Sequence, residues 1–235
     1  MNGADENWVV IFAKCPRPGR VKTRLARLLG HEGACLLYEA LLVDTALAVA
    51  SVSGIRRVIA CDPPEDLDWF AARFGEPFVL TSQGPGDLGA RLERTFDEAF
   101  ALGARRAVVV GSDLPTLTPS CLDAAFRDLA THDLVLGPAD DGGYYLIGLA
   151  RSAAQLFRGI DWSTDRVLAQ TLERAERSDL TSSRLARECD VDDESSLRKL
   201  MTALAVGPAT SAPNTRRFLA GLDSEFHWQE MTAWK

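Results

Sequence analysis

An α/β domain with a mainly parallel, mixed sheet covered by helices on both faces is the fold that the sequence predicts. Three observations predict it. Continuous apolar runs of strand length recur along the chain, as buried parallel strands require. Helical stretches separate them, which is the pattern of crossover connections. One pair of apolar runs flanks an Asp-Gly turn, which predicts a hairpin or sharp strand connection and makes the sheet mixed.

The elements follow in order. WVVIFA (8–13) is an apolar run that ends in a Pro/Gly-rich loop. Thr23 to Val52 is helical in character, with an interruption expected near Gly30. RRVIAC (56–61), a helix near 65–73 and PFVLT (77–81) come next, then a helix from about Leu88 to Ala101 and the strand RRAVVVG (105–111). Thr118 and Pro119 give a helix its N-cap and first-turn proline. LVLGPA and YYLIGL flank Asp140-Asp141-Gly142-Gly143, and residues 165–177 and 194–204 are helical again. VGPATSAPNT after Leu204 is linker-like. The final RRFLAGLDSEFHWQEMTAWK is expected to be a docking helix or a partly ordered tail, whose Phe218, Phe226, Trp228 and Trp234 favour packing, with a homodimer contact as one outlet. This divides the chain into a domain over 8–204 and an extension over 205–235.

Composition narrows the function. A chain of 235 residues should bury about 70% of its unfolded surface and needs no disulfide or metal to fold. The net charge of −7 argues against a broad nucleic-acid surface but allows a local basic pocket. The five cysteines are scattered and form no CxxC pair, so no zinc ribbon or dithiol motif is present. The polar, acidic start MNGADENW is unlike a signal peptide, and the apolar stretch ALLVDTALAVASV is broken by Asp44 and Thr45. A soluble cytoplasmic protein without a membrane partner is expected.

Ligands of open α/β sheets bind beyond the carboxyl ends of the strands. After the first strand, Lys14, Arg17, Arg20, Lys22 and Arg24 crowd one loop around Gly19 and Thr23. Such a loop suits a polyphosphate, helped by the N-terminus of a helix beginning near Thr23, or is simply a solvated basic loop. It is not a P-loop, because Gly19 and Lys22 are too close. Asp113 follows the strand RAVVVG, where a carboxylate can ligate a hard cation or serve a turn. Asp190 and Asp192 point to one side of an extended segment and can share a cation, or belong to an acidic helix start capped by Asp193. Asp140 and Asp141 are turn residues or groups that orient an acceptor hydroxyl. At most one of Tyr144 and Tyr145 faces a site. Trp162 is more often core than a stacking ligand, and Ser163 or Thr164 is expected to cap a helix. Gly84-Pro85-Gly86-Asp87-Leu88-Gly89 satisfies GxGxxG, but at the third strand and with proline inside the loop, so dinucleotide binding is disfavoured.

These segments together resemble a bacterial family of GT-A-like transferases labelled radical-SAM/selenodomain-associated transferase 1 or arsenosugar biosynthesis glycosyltransferase. Phe12-Ala-Lys14, Pro18-Gly19 and Lys22-Thr23-Arg24-Leu25 resemble its opening signature. Asp87-Leu88-Gly89-Ala-Arg91 resembles its DLGxR segment, Gly111 to Leu117 its GSDxPTL segment, and Gly137 to Leu146 its GPxxDGGYYL segment. Trp162-Ser163-Thr164 and Asp190-Val191-Asp192 resemble the remaining blocks, and coverage runs from about residue 8 to 204.

The resemblance implies a GT-A-like fold and transfer from an activated nucleotide. The expected reaction is glycosyl transfer from a nucleoside diphosphate-sugar to a small-molecule acceptor. The alternatives are a nucleotidyltransferase that joins a nucleoside triphosphate to a small phosphorylated acceptor with release of pyrophosphate and, more distantly, a non-catalytic nucleotide-binding protein. Asp113, Asp190 and Asp192 are the implied ligands of Mg²⁺ or Mn²⁺. Lys14, Arg17, Gly19, Lys22, Thr23 and Arg24 are the implied phosphate contacts, with Lys22 and Arg24 also catalytic. Asp140 or Asp141 would act on the acceptor, and Asp87, Arg91, Gly142, Gly143, Tyr144, Trp162 and Ser163 would bind substrate.

Overall fold

The first strand, β1 (Asn7–Lys14), lies inside the sheet, between β2 (Ile55–Asp62) and β4 (Arg106–Gly111), and runs parallel to both. The structure, a computed structural model, describes residues 6–208 and 211–225. Beyond β2 lies β3 (Phe78–Ser82), also parallel; on the other side β6 (Tyr144–Leu149) pairs antiparallel with β4 and with β5 (Leu134–Pro138). A short strand, β7 (Ser182–Arg184), closes that edge parallel to β5, giving the order β3-β2-β1-β4-β6-β5-β7. The sheet is thus mixed in the way expected: β5 and β6 are the two apolar runs around the Asp-Gly turn. β7 was not expected, since Ser-Ser-Arg offers neither apolar alternation nor a β-branched residue.

Helices cover both faces. One core packs α1 (Ala26–Ala50), α2 (Leu67–Arg73) and α4 (Pro119–Asp128) on one side of the sheet, through residues such as Ile11, Leu42, Phe70 and Leu122. The other packs α3 (Leu88–Ala101) and α5 (Val167–Arg177) on the opposite side, where Phe96 stacks on Phe157 at 5.8 Å. Apolar residues of β1 alternate between the two, Val9 and Ile11 to the first and Trp8 and Val10 to the second, because successive strand side chains point to opposite faces.

A third core lies outside α1. There Ala34, Leu37 and Leu41 meet α6 (Glu194–Val206) and α7 (Pro213–Glu225). This explains the composition of α1, which is long and apolar enough to cross a membrane by length and composition. The helix is buried on two sides, against the sheet and against α6 and α7. Asp44 and Thr45 do not break it: Thr45 Oγ1 donates to the Leu41 carbonyl, and Asp44 is bonded to α7. Gly30 does interrupt the helix, with φ +70°. The regular helix starts at Ala26, not near Thr23, because residues 23–25 form a turn closed by Leu25 N–H donating to Lys22 O. The helix-end charge expected behind the basic loop is therefore displaced by one turn. Phe218 packs in the third core; Phe226, Trp228 and Trp234 lie outside the described residues.

Candidate active site

Parallel pairing of β1 with β4, in a register that sets Phe12 opposite Gly111, brings the segments after both strands to one edge of the sheet. The basic loop of β1 then faces the Ser112-Asp113 turn of β4. Lys22 is the contact between them. Its ammonium donates to Asp113 Oδ2 at 2.6 Å and stands 3.7 Å from Asp192 Oδ1, with the side chain only 5% exposed. Its backbone has φ +46°, uncommon for a side chain of this size. Burial alone would lower the pKa of this ammonium, but Asp113, Asp192 and Asp190 outweigh it and hold Lys22 above the ordinary lysine value. Arg24 pairs with the other oxygen of Asp192 at 2.8 Å.

Behind this pair, Tyr38 of α1 ties the two segments together. Its buried hydroxyl accepts from the Lys14 backbone N–H at 2.9 Å and shares a 2.8 Å hydrogen bond with Ser112 Oγ. Sequence reasoning did not single out Tyr38, Ser112 or Gln83. Gln83 is buried and donates to the carbonyls of Ala13 and Ala60, fixing the ends of β1 and β2. Nothing in an apolar helix or at the end of a strand marks such residues without the partner in view.

Two joined cavities flank the Lys22–Asp113 pair. The first, of about 460 Å³, takes Lys14, Arg20, Lys22, Thr23 and Arg24 on one wall and Asp113 and Asp192 on the other. The second, of about 520 Å³, shares Arg24, Asp113 and Asp192 with it and continues along Asp141, Gly143, Tyr144, Trp162, Ser163, Asp165 and Asp190. The first is rich in cations and the second in carboxylates. Asp190 is the least compensated of these: burial, with the Asp113 and Asp141 carboxylates beside it, pushes its pKa up to about 6, although Lys22 opposes the rise.

Several expected site residues are engaged elsewhere. Arg17 is bound to Asp66 and is absent from the cavity wall. Asp140 turns outward to Lys199 of α6 at 2.8 Å, so the cleft side of that turn belongs to Asp141, whose Oδ1 accepts from Gly143 N–H at 2.8 Å. Asp87 caps α3 by accepting from Ala90 N–H. Arg91 braces the same corner by donating to Gly86 O and Gln83 Oε1 and pairing with Asp62. The glycine-rich segment 84–89 is therefore a helix entry rather than a pyrophosphate loop. Its three glycines matter for space: a Cβ on Gly89 would meet the Trp162 indole at 2.5 Å, one on Gly86 would meet Ala90 Cβ at 2.9 Å, and one on Gly84 would meet the Arg94 guanidinium. Gly19 has φ +77° in the loop, and Gly142, with φ +88°, lies against the Asp165 backbone, which leaves no room for a Cβ.

Comparison with known proteins agrees with this architecture. The chain is 38% identical over 136 residues to the 3-phospho-D-glycerate guanylyltransferase of Phenylobacterium zucineum (strain HLK1), covering 54% of this chain and 60% of the relative. It is 29% identical over 135 residues to the 2-phospho-L-lactate guanylyltransferase of Methanothermobacter thermautotrophicus, covering 57% and 59%. The match thus spans about 60% of the length of these curated relatives. A crystal structure from Desulfovibrio desulfuricans G20, described as a nucleotide-diphospho-sugar transferase, superposes with TM-score 0.87 and 32% identity over 94% of this chain and 96% of that one. Residues 45–164 match the profile of a family described as an uncharacterized protein conserved in bacteria, DUF2064. With the fold, the ordered motifs and this match in agreement, the chain belongs to the DUF2064 family.

Proposed function

We propose that the chain is a nucleotidyltransferase, which joins a nucleoside triphosphate to a small phosphorylated acceptor and releases pyrophosphate. One observation carries the reading: the buried Lys22 ammonium lies between Asp113 and Asp192 at the sheet edge, with Lys14, Arg20 and Arg24 opening onto the same cavity. The guanylyltransferase names of two relatives favour nucleotidyl transfer over sugar transfer. In this reaction an acceptor oxygen forms a bond to the α-phosphorus, the bond from that phosphorus to the bridging oxygen breaks, and pyrophosphate leaves with the electron pair. Lys14, Lys22 and Arg24 neutralise the charge that grows on the leaving group. Fixed charges of this kind are often worth about 10²–10³ each in rate.

A divalent cation fits this cleft in one mode. Among the described residues no three His, Cys, Asp or Glu side chains form a ready metal cluster. Magnesium does not need one, since it usually takes one or two carboxylates and completes its shell with phosphate oxygens and water. Asp113 and the weakly compensated Asp190 are the carboxylates that would hold Mg²⁺ or Mn²⁺, with Asp192 beside them. Bound there, the cation would neutralise charge on the phosphates of the donor.

Product analysis tests the reading. With Mg²⁺ or Mn²⁺, each of the four nucleoside triphosphates is offered with 3-phosphoglycerate or phospholactate, and acceptor-dependent pyrophosphate is the expected product. Sugar transfer is the second reading, favoured by the name of the Desulfovibrio structure. It requires release of a nucleoside diphosphate from a nucleotide-sugar instead. Absence of both products across the panel would count against catalysis by this cleft.

A further inference from the structure

The segment that follows the cleft-forming elements has a place in the fold that suggests work at a distance. We propose that α7 is a positioning element for the cleft: it completes a core that fixes the cationic wall and the carboxylate wall relative to one another. The inference takes the ligand of those walls from the nucleotide reading above, but the geometry stands independently of it.

Each wall is anchored in the third core by one fully buried residue, Leu25 for the cationic wall and Val191 for the carboxylate wall. Leu25 follows Arg24 directly and closes the turn that carries Lys22, since its N–H donates to Lys22 O at 2.9 Å. Val191 lies between Asp190 and Asp192. In an extended segment its inward direction sends the two flanking carboxylates the opposite way, towards the cleft. Leu25 and Val191 are each 0% exposed and belong to one cluster with Leu37 and Leu41 of α1, Leu197, Leu200 and Leu204 of α6, and Leu219 and Leu222 of α7.

The carboxylate wall is further tied to α6. Ser196 Oγ accepts from the backbone N–H groups of Asp192 and Asp193, and Asp193 caps the helix by accepting from Ser196 N–H. α6 itself is held down by the cluster that α7 completes. α7 is locked onto α1 by the buried Asp44 carboxylate, which accepts four hydrogen bonds from Asn214 and Thr215. None of the α7 residues whose side chains are described lines either cavity of the cleft. Any effect of α7 on ligand binding must therefore pass through the core.

The experiment uses the full chain with Leu219→Ala, and with Leu219→Val in case the larger truncation does not fold. Leu156→Ala, a 0% exposed residue in the core on the other face of the sheet, is the control. Hydrogen–deuterium exchange reads local opening in peptides spanning 20–25 and 188–193. The expected result is faster exchange in both segments for the Leu219 variants and no change there for the control. In parallel, calorimetry with Mg–GTP should show about tenfold weaker binding for Leu219→Ala, which is about 1.4 kcal/mol, and binding within about twofold of the parent for the control. Unchanged exchange in the two segments, or equal changes in the control, overturns the proposal. If the parent protein binds no nucleotide while exchange responds as expected, the nucleotide reading fails and the positioning role stands.

Discussion

Lys22 and Asp113 are 91 residues apart in the chain and 2.6 Å apart at the sheet edge, with the lysine buried and the aspartate part-exposed. The pair joins the two walls before any ligand arrives. The ammonium is also the positive charge paired with Asp113, while Arg24 stands nearer to Asp192. Replacing it by methionine keeps the volume and removes the charge. Asp113 is 30% exposed, so water offsets much of the loss, and about 1–2 kcal/mol of stability should go rather than the 3–5 of a fully buried pair. Turnover should fall about 10²–10³-fold. The same variant tests the cation site: Mg²⁺ alone should raise the Tm of Lys22→Met more than that of the parent, since no ammonium competes for the carboxylates. Equal shifts in the two proteins would argue that Lys22 and the cation do not share those carboxylates.

Gly89 supports a second prediction. It sits in the first turn of α3, where alanine is ordinarily better than glycine by up to about 1 kcal/mol. Here the added methyl would meet the Trp162 indole at 2.5–2.8 Å, and a rigid ring cannot yield as a flexible side chain can. Overpacking of this kind costs about 1–3 kcal/mol, so the steric effect should win and Gly89→Ala should lose about 1–2 kcal/mol. The indole should move, and a change in intrinsic fluorescence reads that directly. Adding Trp162→Leu should recover most of the lost stability, because the two residues interact.

What the sequence revealed, and what it hid, follows from the range of the interactions. The strands β1, β2 and β4 were legible because burial on both faces writes itself as an apolar run, whereas β3, at the sheet edge with Val79 exposed, showed only a short one. The hairpin of β5 and β6 was legible because an Asp-Gly turn is local. Asp113, Asp190 and Asp192 could be nominated because each follows a strand or precedes a helix. Strand order is not local, however, and only the pairing of β1 with β4 brings the basic loop to Asp113. The same limit hid the partner of Asp140: its attraction to Lys199 depends on where α6 lands. Arg17 was similarly taken by Asp66, 49 residues away. Asp44 looked like a flaw in an apolar helix because its partners lie 170 residues on.

Asp133 gives a pH-dependent prediction. It joins the starts of β5 and β7 to the end of β6: its carboxylate accepts from Arg151 Nε at 2.7 Å and from the backbone N–H and hydroxyl of Thr181 at 3.0 Å each. Arg151, followed by the Thr181 bonds, holds its pKa at about 2, below the ordinary value near 3.8. A carboxyl whose pKa is depressed in the folded state stabilises fully above its unfolded value and stops doing so as pH falls through the folded one. The contribution should therefore be intact above about pH 4 and fade towards pH 2. In urea unfolding between pH 5 and pH 2.5, the stability gap between the parent and Asp133→Ala should narrow as the solution is acidified. A gap that stays constant or widens would show that the ionised carboxylate is not the stabilising species.

Asp44 makes the strongest demand on stability. The first N–H groups of a helix have no partner within it, and those of Asn214 and Thr215 are met by a carboxylate from another helix. Asp44 Oδ1 accepts from Asn214 N at 3.0 Å and Nδ2 at 2.8 Å, and Oδ2 accepts from Thr215 N at 2.8 Å and Oγ1 at 2.7 Å. Negative charge at a helix N-terminus also complements its dipole. Hydrogen bonds to a charged group contribute about 1.5–3 kcal/mol, and buried donors left unpaired cost a similar amount. The four bonds share one carboxylate, so they are not additive, and Asp44→Ala should lose about 3–4 kcal/mol. Asp44→Asn keeps the shape and part of the bonding and should lose less. Denaturant titration of both variants measures the difference, and a loss below about 1 kcal/mol for alanine would mean that apolar contacts alone hold α7 on α1.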